Sequence, residues 1–517
     1  MTMNRFPKVF FLIFAIFITL IIVLYSFLIV GDAYPLTTRE GAALAPLYLM
    51  NKGLNPFTLV YLPEYFYSYV FVQQIVSYPI VKIFGLNLNY LRLLNQVFIF
   101  FSSFLLFKSF LKIGATRLTA YFAALVFYAA SLYLNTSEVR ADAIGLFLYT
   151  SAIVTPILVK RKIIQYILVS LLSLLGLFTK FYFIAGLLIY FVFEFSKFKL
   201  KQTFVLIFVI LANVLFFGMM LYLFLSEYYN YFLKPFLISS TLYKKDFLFS
   251  FKQYFVFLVL IFPLLVYLIK PNLMIDFRNL IVKWFSKSQI KDEKFNIKVY
   301  IVWGVLASTS GTILFLATNI GNQMTYLFHL MLAWYLLLYC KELDYTNKYY
   351  FGKYKVIFIA FTALIFVTYL RPWNYLKSKG EWNKVTSRID QSSKPFASSL
   401  FSSYILQSGK PLVNSGHSEF IQYTSDNDDG LLKNTHADEV LTKNISPALL
   451  KRTREYFKEI RYNIDMKKYD LILLDNTSTI GNFYTLAINK RYHLSDSVFL
   501  YLPHSRHSVK VWIYDLN

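Results

Sequence analysis

The chain has a single cysteine, Cys340, at the end of an apolar run, so neither a disulfide framework nor a cysteine metal site is available to it. Acidic residues are scarce. Lys and Arg number 52 against 28 Asp and Glu, a formal net charge of +24. Such an excess points to nucleic acid only where it forms a patch, and no patch exists here. The basic residues fall in short clusters between apolar runs, as topology signals do, so no nucleic-acid partner is expected. There is no internal repeat and no low-complexity linker. The first apolar run, Val9 to Val30, follows Arg5 and Lys8 but is too long for a signal-peptide core and lacks a small-residue cleavage pattern, so it reads as a retained span.

What is abundant is apolar surface. Of 517 residues 57% are apolar and 20% aromatic, with a mean hydropathy of +0.51. Apolar runs recur at lengths that cross a hydrocarbon core of roughly 30 Å, which excludes a soluble protein and predicts an α-helical polytopic membrane protein with about eleven spans. The expected spans are 9–30, 90–111, 118–135, 142–159, 163–179, 181–195, 203–225, 252–269, 299–318, 324–340 and 355–371. The stretch 64–84 carries Glu64, Gln73, Gln74, Ser77, Pro79 and Lys82, a poor composition for a lipid-facing helix.

Charge placement decides how 64–84 lies. If it stays in the interface, every basic cluster falls on the N-terminal side of the membrane: Lys108, Lys112 and Arg117; Lys160, Arg161 and Lys162; Lys197, Lys199 and Lys201; and the loops after Lys270 and Lys341. If it crossed, the pattern would invert and break the positive-inside rule. The expectation is therefore a multi-pass protein of the cell's inner (plasma) membrane with a cytoplasmic N-terminus. Residues 1–371 form the membrane domain, in which 31–89 is an outer loop with in-plane helices at about 38–52 and 64–84. Residues 372–517 change character. Tyr469 to Asp475 and Val509 to Tyr514 read as strands, and Ser446-Pro447 opens a helix to about Arg461, giving a small extracytoplasmic α/β domain.

Polar groups concentrate at the expected outer face. The first loop offers Asp32 and Glu40 at the mouth of the first span, where a carboxylate can take a proton from an acceptor hydroxyl. Thr37 and Glu40 also have the spacing of a capping box, which makes Glu40 equally a helix cap. Glu138, Arg140 and Asp142 gather where one span ends and the next begins. An Arg beside a carboxylate there can bind phosphate while the acid orients a sugar or hydroxyl, or Asp142 can simply cap a helix. Lys180, in Thr179-Lys180-Phe181-Tyr182, is a cation between two apolar spans with almost no loop. It can snorkel, or it can meet the phosphate of a polyprenyl lipid. His329, eight residues after Gly321, carries the weakest signal and reads equally as packing.

These segments, in this order, resemble the GT-C superfamily of polyprenyl-phosphate-sugar-dependent glycosyltransferases, the class of the protein O-mannosyltransferases and lipid A aminoarabinose transferase. The resemblance spans most of the membrane domain. It is carried by Arg39-Glu40-Gly41 with Gly53 to Pro56, by Ile83 to Gly85 before Tyr90 to Arg92, by Arg140 to Gly145, and by Thr179 to Tyr182. It implies a first outer loop that supplies an acid to the acceptor, with Arg and Lys near the lipid phosphate. By position Glu40 matches the second residue of the family's Asp-Glu pair, and Arg39 stands in place of the Asp, so the base is Glu40 or Asp32. Arg140-Ala141-Asp142 departs from the commoner Arg-Pro-Asp. Lys180 matches the Thr-Lys step, with Tyr182 in the same segment as a further donor-binding candidate, and Tyr326 with His329 falls where the family has a Tyr-containing rim motif.

The implied activity is transfer of a hexose or pentose from a polyprenyl-phosphate donor to an envelope glycan, lipid or protein acceptor at the outer face. No cofactor and no metal site are expected, although outer-loop carboxylates can hold Mg or Mn weakly. Among the alternatives, a flippase or transporter would show pseudo-symmetry and mid-membrane polar groups. An O-antigen polymerase or ligase would place its large loop between late spans, and a structural envelope protein would have no need of Lys180 and Asp142.

Overall fold

The computed structural model describes residues 6–31, 34–36, 39–62, 64–65, 67, 71–133, 138–195, 200–230, 334, 378–413, 447–476, 479–501 and 508–516. The expected spans from 252 onward lie outside them, except Trp334, which is fully buried and meets the Phe110 ring edge-on at 4.9 Å.

Long apolar runs with few helix breakers give the helical half its elements: α1 (Phe6–Gly31), α2 (Arg39–Asn51), α3 (Val72–Phe84), α4 (Leu88–Lys112), α5 (Arg117–Tyr133), α6 (Asp142–Leu158), α7 (Lys162–Leu177), α8 (Ala185–Phe195), α9 (Leu200–Phe224) and the single turn α10 (Ser226–Tyr228). The first seven expected spans are thus found as helices within a few residues, with α8 preceded by a 3-10 turn, Phe181–Ile184. Among the described helices, α4 and α9 are long and apolar enough by themselves to cross a membrane. Helix α6 is buried on nearly every side between α4, α7 and α8, which suits a sequence apolar all round.

Helices α2 and α3 have 13 residues each. Each rises about 20 Å, short of a hydrocarbon core. The helix expected over 64–84 covers only its second half. Ahead of it, Glu64 and Tyr65 meet the C-terminal unit instead, where Glu64 pairs with Arg452 and Tyr65 bonds the backbone of Leu412. Glu227, just past α9, accepts the Leu59 amide at 3.1 Å and pins the loop on its other flank.

The C-terminal unit is a four-stranded sheet with helices on both faces. Its elements are α11 (Lys379–Gln391), β1 (Pro395–Ala397), α12 (Ser402–Gln407), α13 (Pro447–Asp465), β2 (Leu471–Asp475), α14 (Thr479–Arg491), β3 (Tyr492–Tyr501) and β4 (Ser508–Leu516). The strand order is β1-β2-β4-β3, with β1 parallel to β2 and both other pairings antiparallel. A bulge near Ser495 shifts the β3 register, and the Ser495 hydroxyl caps the Ile513 carbonyl at 3.1 Å. Every β2 side chain is buried. Because successive strand residues face opposite ways, Ile472 and Leu474 join a core with Tyr456, Ile460, Ile464 and Ile488 of α13 and α14. Leu471 and Leu473 join a second core with Trp382 and Val385 of α11 and with Tyr34, Ala42, Leu88 and Leu91 of the helical half.

That second core makes the sheet unit continuous with the helical half. The segment 399–407 lies on α2 so closely that a Cβ added at Gly41 would be 2.8 Å from the Ser403 amide nitrogen and closer still to Ser402. Gln407 accepts the Leu88 amide at 3.0 Å, capping the start of α4, and the Tyr34 hydroxyl donates to the Tyr501 carbonyl at 3.1 Å.

Asp470, just before β2, binds the turn after α11. It accepts from the Ser392 hydroxyl, from the Ser393 amide (2.6 Å) and hydroxyl (2.8 Å), and from the Lys394 amide (3.1 Å). Burial alone would raise its pKa, but these donors hold it down at about 2. A carboxyl depressed in the folded state contributes stability above its unfolded value of about 4 and loses it as pH falls toward the folded value. Asp470→Asn should therefore melt below wild type at pH 7, with the gap closing between about pH 4 and pH 2. Melting curves of the full chain in detergent across that range test this, and a gap independent of pH refutes it.

Candidate active site

Several of the candidates that the sequence places at an outer face converge on one end of α4 and α6. Near the start of α4, Arg92, Asn95 and Gln96 are all buried, a polar stripe at helical spacing in an otherwise apolar element. Arg92 turns to α2. Its Nε donates to Glu40 Oε1 at 3.0 Å and its Nη2 to Oε2 at 2.6 Å, while Nη1 and Nη2 also bond the carbonyls of Ile29 (3.0 Å) and Tyr34 (2.6 Å). Glu40 receives two further donors, the Leu36 amide on Oε2 (2.8 Å) and the Val139 amide on Oε1 (3.0 Å). A carboxylate has about four acceptor positions, so Glu40 is filled. The expectation of a free proton acceptor there is not met by this geometry, in which Glu40 clamps the α1–α2 junction to the 138–140 turn. The capping function is met in altered register, since the carboxylate reaches the Leu36 amide.

The 138–142 turn carries the second cluster. Asn95 holds it by donating to the Glu138 carbonyl and, at 3.4 Å, to that of Arg140. Arg140 pairs with Glu138 (3.3 Å) and with Asp142 Oδ2 (3.2 Å), and Lys180 Nζ bonds Asp142 Oδ1. The Glu40, Glu138 and Asp142 side chains are wholly buried, those of Arg92 and Lys180 are 1% exposed, and that of Arg140 is 6% exposed. Among the described residues, three acids and three cations therefore share one buried network in which the charges match in number, as burial of charge requires.

Phe183 aims Lys180. Its ring fills the space over Gly145 of α6, where an added Cβ would be 2.7 Å from Cζ, and its own Cβ sits 2.9 Å from the position a Cβ would take at Gly176 of α7. Only glycine at both places lets the 3-10 turn after Lys180 seat between the helices. The Thr179 hydroxyl closes the end of α7 on the Gly176 carbonyl at 2.6 Å, and the Phe178 carbonyl accepts the Val72 amide at 3.2 Å, joining this turn to α3.

Of the residues expected from the sequence, Glu40, Arg140, Asp142 and Lys180 come together. Arg39 is half-buried at the first residue of α2. Tyr182 lies in the turn after Lys180, and Asp32, Tyr326 and His329 lie outside the described residues. Sequence reasoning passed over Arg92 as a site residue, although an Arg and an Asn three apart inside an apolar run were a signal. It had none for Phe183, whose partners Gly145 and Gly176 meet it only in space. Among the described residues no three His, Cys, Asp or Glu side chains gather as a metal-ligand set.

Removing the cation from a buried pair costs about 3–5 kcal/mol, because the remaining charge is stranded. Arg92→Met should destabilise the chain by about that amount, and Glu40→Gln added to it should recover part of the loss. Melting in detergent of both single variants and the double decides it, and wild-type stability of Arg92→Met would remove the clamp.

No protein-family model and no curated protein matches the chain. Among solved structures, the crystal structure of ArnT from Cupriavidus metallidurans bound to undecaprenyl phosphate matches it with a TM-score of 0.51 at 9% identity, covering 96% of this chain and 97% of that one. The likeness runs the length of both proteins. The chain has the fold of that ArnT structure, the fold that the resemblance of its motifs implied.

Proposed function

We propose that the protein transfers a sugar from a polyprenyl-phosphate carrier to a hydroxyl of an envelope glycan, lipid or protein at the outer face of the membrane. The observation that carries this reading is the meeting of Lys180 and Arg140 on the single carboxylate Asp142, buried at the ends of apolar helices. Cations so placed suit a departing lipid phosphate, whose charge grows as the glycosidic bond breaks. Support also comes from the fold, since the ArnT to which the chain is similar binds undecaprenyl phosphate in its crystal structure. The donor class follows from the location: nucleotide sugars are cytoplasmic, whereas a lipid phosphate slides laterally into a cleft between helices.

In this reading Lys180 and Arg140 stabilise the leaving phosphate, and Asp142 holds both cations in place until the donor arrives. Arg92 and Glu40 position the turn that bears them. Tyr182, Arg39 and the rim residues Tyr326 and His329 contribute to donor binding. An acid of the first outer loop takes the acceptor proton, and direct attack inverts the anomeric carbon. The C-terminal unit stands outside the membrane and helps hold the acceptor, and the N-terminus is cytoplasmic.

Purified full-length protein in nanodiscs, offered labelled polyprenyl-phosphate hexose or pentose with mixed envelope acceptors, should release polyprenyl phosphate. Lys180→Met should lower release about 10²–10³-fold, the usual effect of losing one preorganised donor to a developing anion. Unchanged release at wild-type melting temperature would remove Lys180 from the mechanism, and no release from any donor would sink the transferase reading.

The proposed orientation is tested separately by reporter fusions between Lys82 and Asn89. An external signal is expected, and a cytoplasmic one overturns the in-plane placement of α3.

A further inference from the structure

The first outer loop and the C-terminal unit meet at an ion pair whose acid is only half satisfied. Glu64 Oε1 pairs with Nη2 of Arg452 on α13, with the two side chains 18% and 28% exposed. The second oxygen, Oε2, is buried and has no hydrogen-bonding partner among the described residues. A buried acceptor left in that state is costly, so a purely structural acid would be expected to close both oxygens. Glu40 and Asp470 do so, with four donors each.

The surroundings favour a proton acceptor. Burial raises the pKa of Glu64, its own main-chain amide and the Arg452 charge oppose the rise, and Glu459 adds to it. Half-buried tyrosines flank it. Tyr65 lies parallel to Tyr48 with ring centroids 6.0 Å apart and edge-on to Tyr61 at 6.4 Å, and its hydroxyl, pushed up to about 12 by burial, bonds the backbone of Leu412. Lys52 stands 5.7 Å over the Tyr48 ring. Beneath, Leu62 shares a hydrophobic cluster with Leu449 of α13, Ile144 of α6 and Phe178, two residues before Lys180. The seam is thereby tied to the end of α6 that carries Asp142.

We propose that this seam is the acceptor subsite, that it takes a hydroxyl-rich pyranose against the tyrosine rings, and that Glu64 Oε2 receives the acceptor hydroxyl. The inference rests on the transferase reading and names the first-loop acid it requires. In the step, the acceptor oxygen bonds to the anomeric carbon while the bond from that carbon to the phosphate oxygen breaks. The electron pair leaves with polyprenyl phosphate, and the hydroxyl proton passes to Glu64. Pyranose rings present C–H faces to aromatic rings and hydroxyls to carboxylates, a combination this seam offers.

Two arms test it on the full-length protein in nanodiscs, with methyl hexopyranosides as the probe. In the binding arm, saturation-transfer NMR should give a ring-proton signal for at least one hexoside on wild-type protein. That signal should vanish in Tyr65→Leu and weaken in Glu64→Gln. In the transfer arm, Glu64→Gln should lower transfer to that hexoside about 10²–10⁴-fold, the range for loss of a general base. The acidic limb of the pH profile should go with it, Glu64→Asp should restore part, and thermal stabilisation by polyprenyl phosphate should be unchanged. The charged and titratable groups facing Glu64 among the described residues are Arg452, Tyr456 and Glu459 from α13 and Tyr65 from its own loop.

Hexoside binding that survives Tyr65→Leu, or no binding by wild type, overturns the subsite whether or not the protein is a transferase. An active wild type with an equally active Glu64→Gln overturns the proton transfer alone, most directly if Asp32→Asn abolishes activity instead. Loss of polyprenyl phosphate binding in Glu64→Gln would make the residue structural and overturn its assignment as the base.

Discussion

Arg92 near the start of α4 carries a charge into the buried interior, and that end of the helical half is arranged around neutralising it. Its guanidinium meets one carboxylate and two main-chain carbonyls, and the carboxylate in turn gives its remaining acceptor positions to the Leu36 and Val139 amides. These partners come from four segments: the end of α1, the loop into α2, α2 itself and the turn before α6. Desolvation makes the arrangement close to all-or-none, because a partly satisfied buried network is worse than an apolar one. The position of Arg140 and Asp142 follows from it, since Val139 lies between them and Glu138.

A second constraint is steric and works from the other side. The Phe183 ring needs the space that a side chain at Gly145 would occupy, and its Cβ needs the space at Gly176. With that ring seated, the chain after α7 has room for only one turn before α8 begins, and Lys180 is delivered to Asp142. An ion pair alone would tolerate several rotamers of a flexible lysine. The ring between two glycines fixes the main chain from which the lysine reaches.

Hydropathy made the helical elements legible, because α1 and α4 to α9 are each one apolar run and the strands β2 and β4 alternate or run apolar between turn signals. The convergence of Glu40, Arg140, Asp142 and Lys180 was legible as a group of charges at span ends. What could not be read was which acid was closed and which open. Glu40 looked free because its partner Arg92 stands 52 residues away, and Glu64 looked like an unremarkable interfacial charge because Arg452 stands 388 residues away. Pairing across such separations is set by helix packing and by docking of the sheet unit, which no local spacing records. The short extent of α3 has the same origin, for Glu64 and Tyr65 ahead of it are held by Arg452 and Leu412.

On the transferase reading, the neutrality of the buried network bears on how a donor is chosen. With three acids matched to three cations among the described residues, a free phosphate entering the site would have to draw Lys180 or Arg140 away from Asp142 and lose its own hydration in the process. Coulomb attraction to described side chains whose charges cancel offers little toward that cost. A lipid-linked phosphate is in a different position. Its chain already lies among the apolar helices, so burial of the tail, at about 0.8 kcal/mol per methylene removed from water, is what keeps it at the membrane. The phosphate then meets the cations as a neighbour at high local concentration. A neutral network therefore discriminates against soluble anions without losing the carrier. The same balance is disturbed at the moment of transfer, when the leaving phosphate gains a second charge and the contest with Asp142 for Lys180 tilts toward the phosphate.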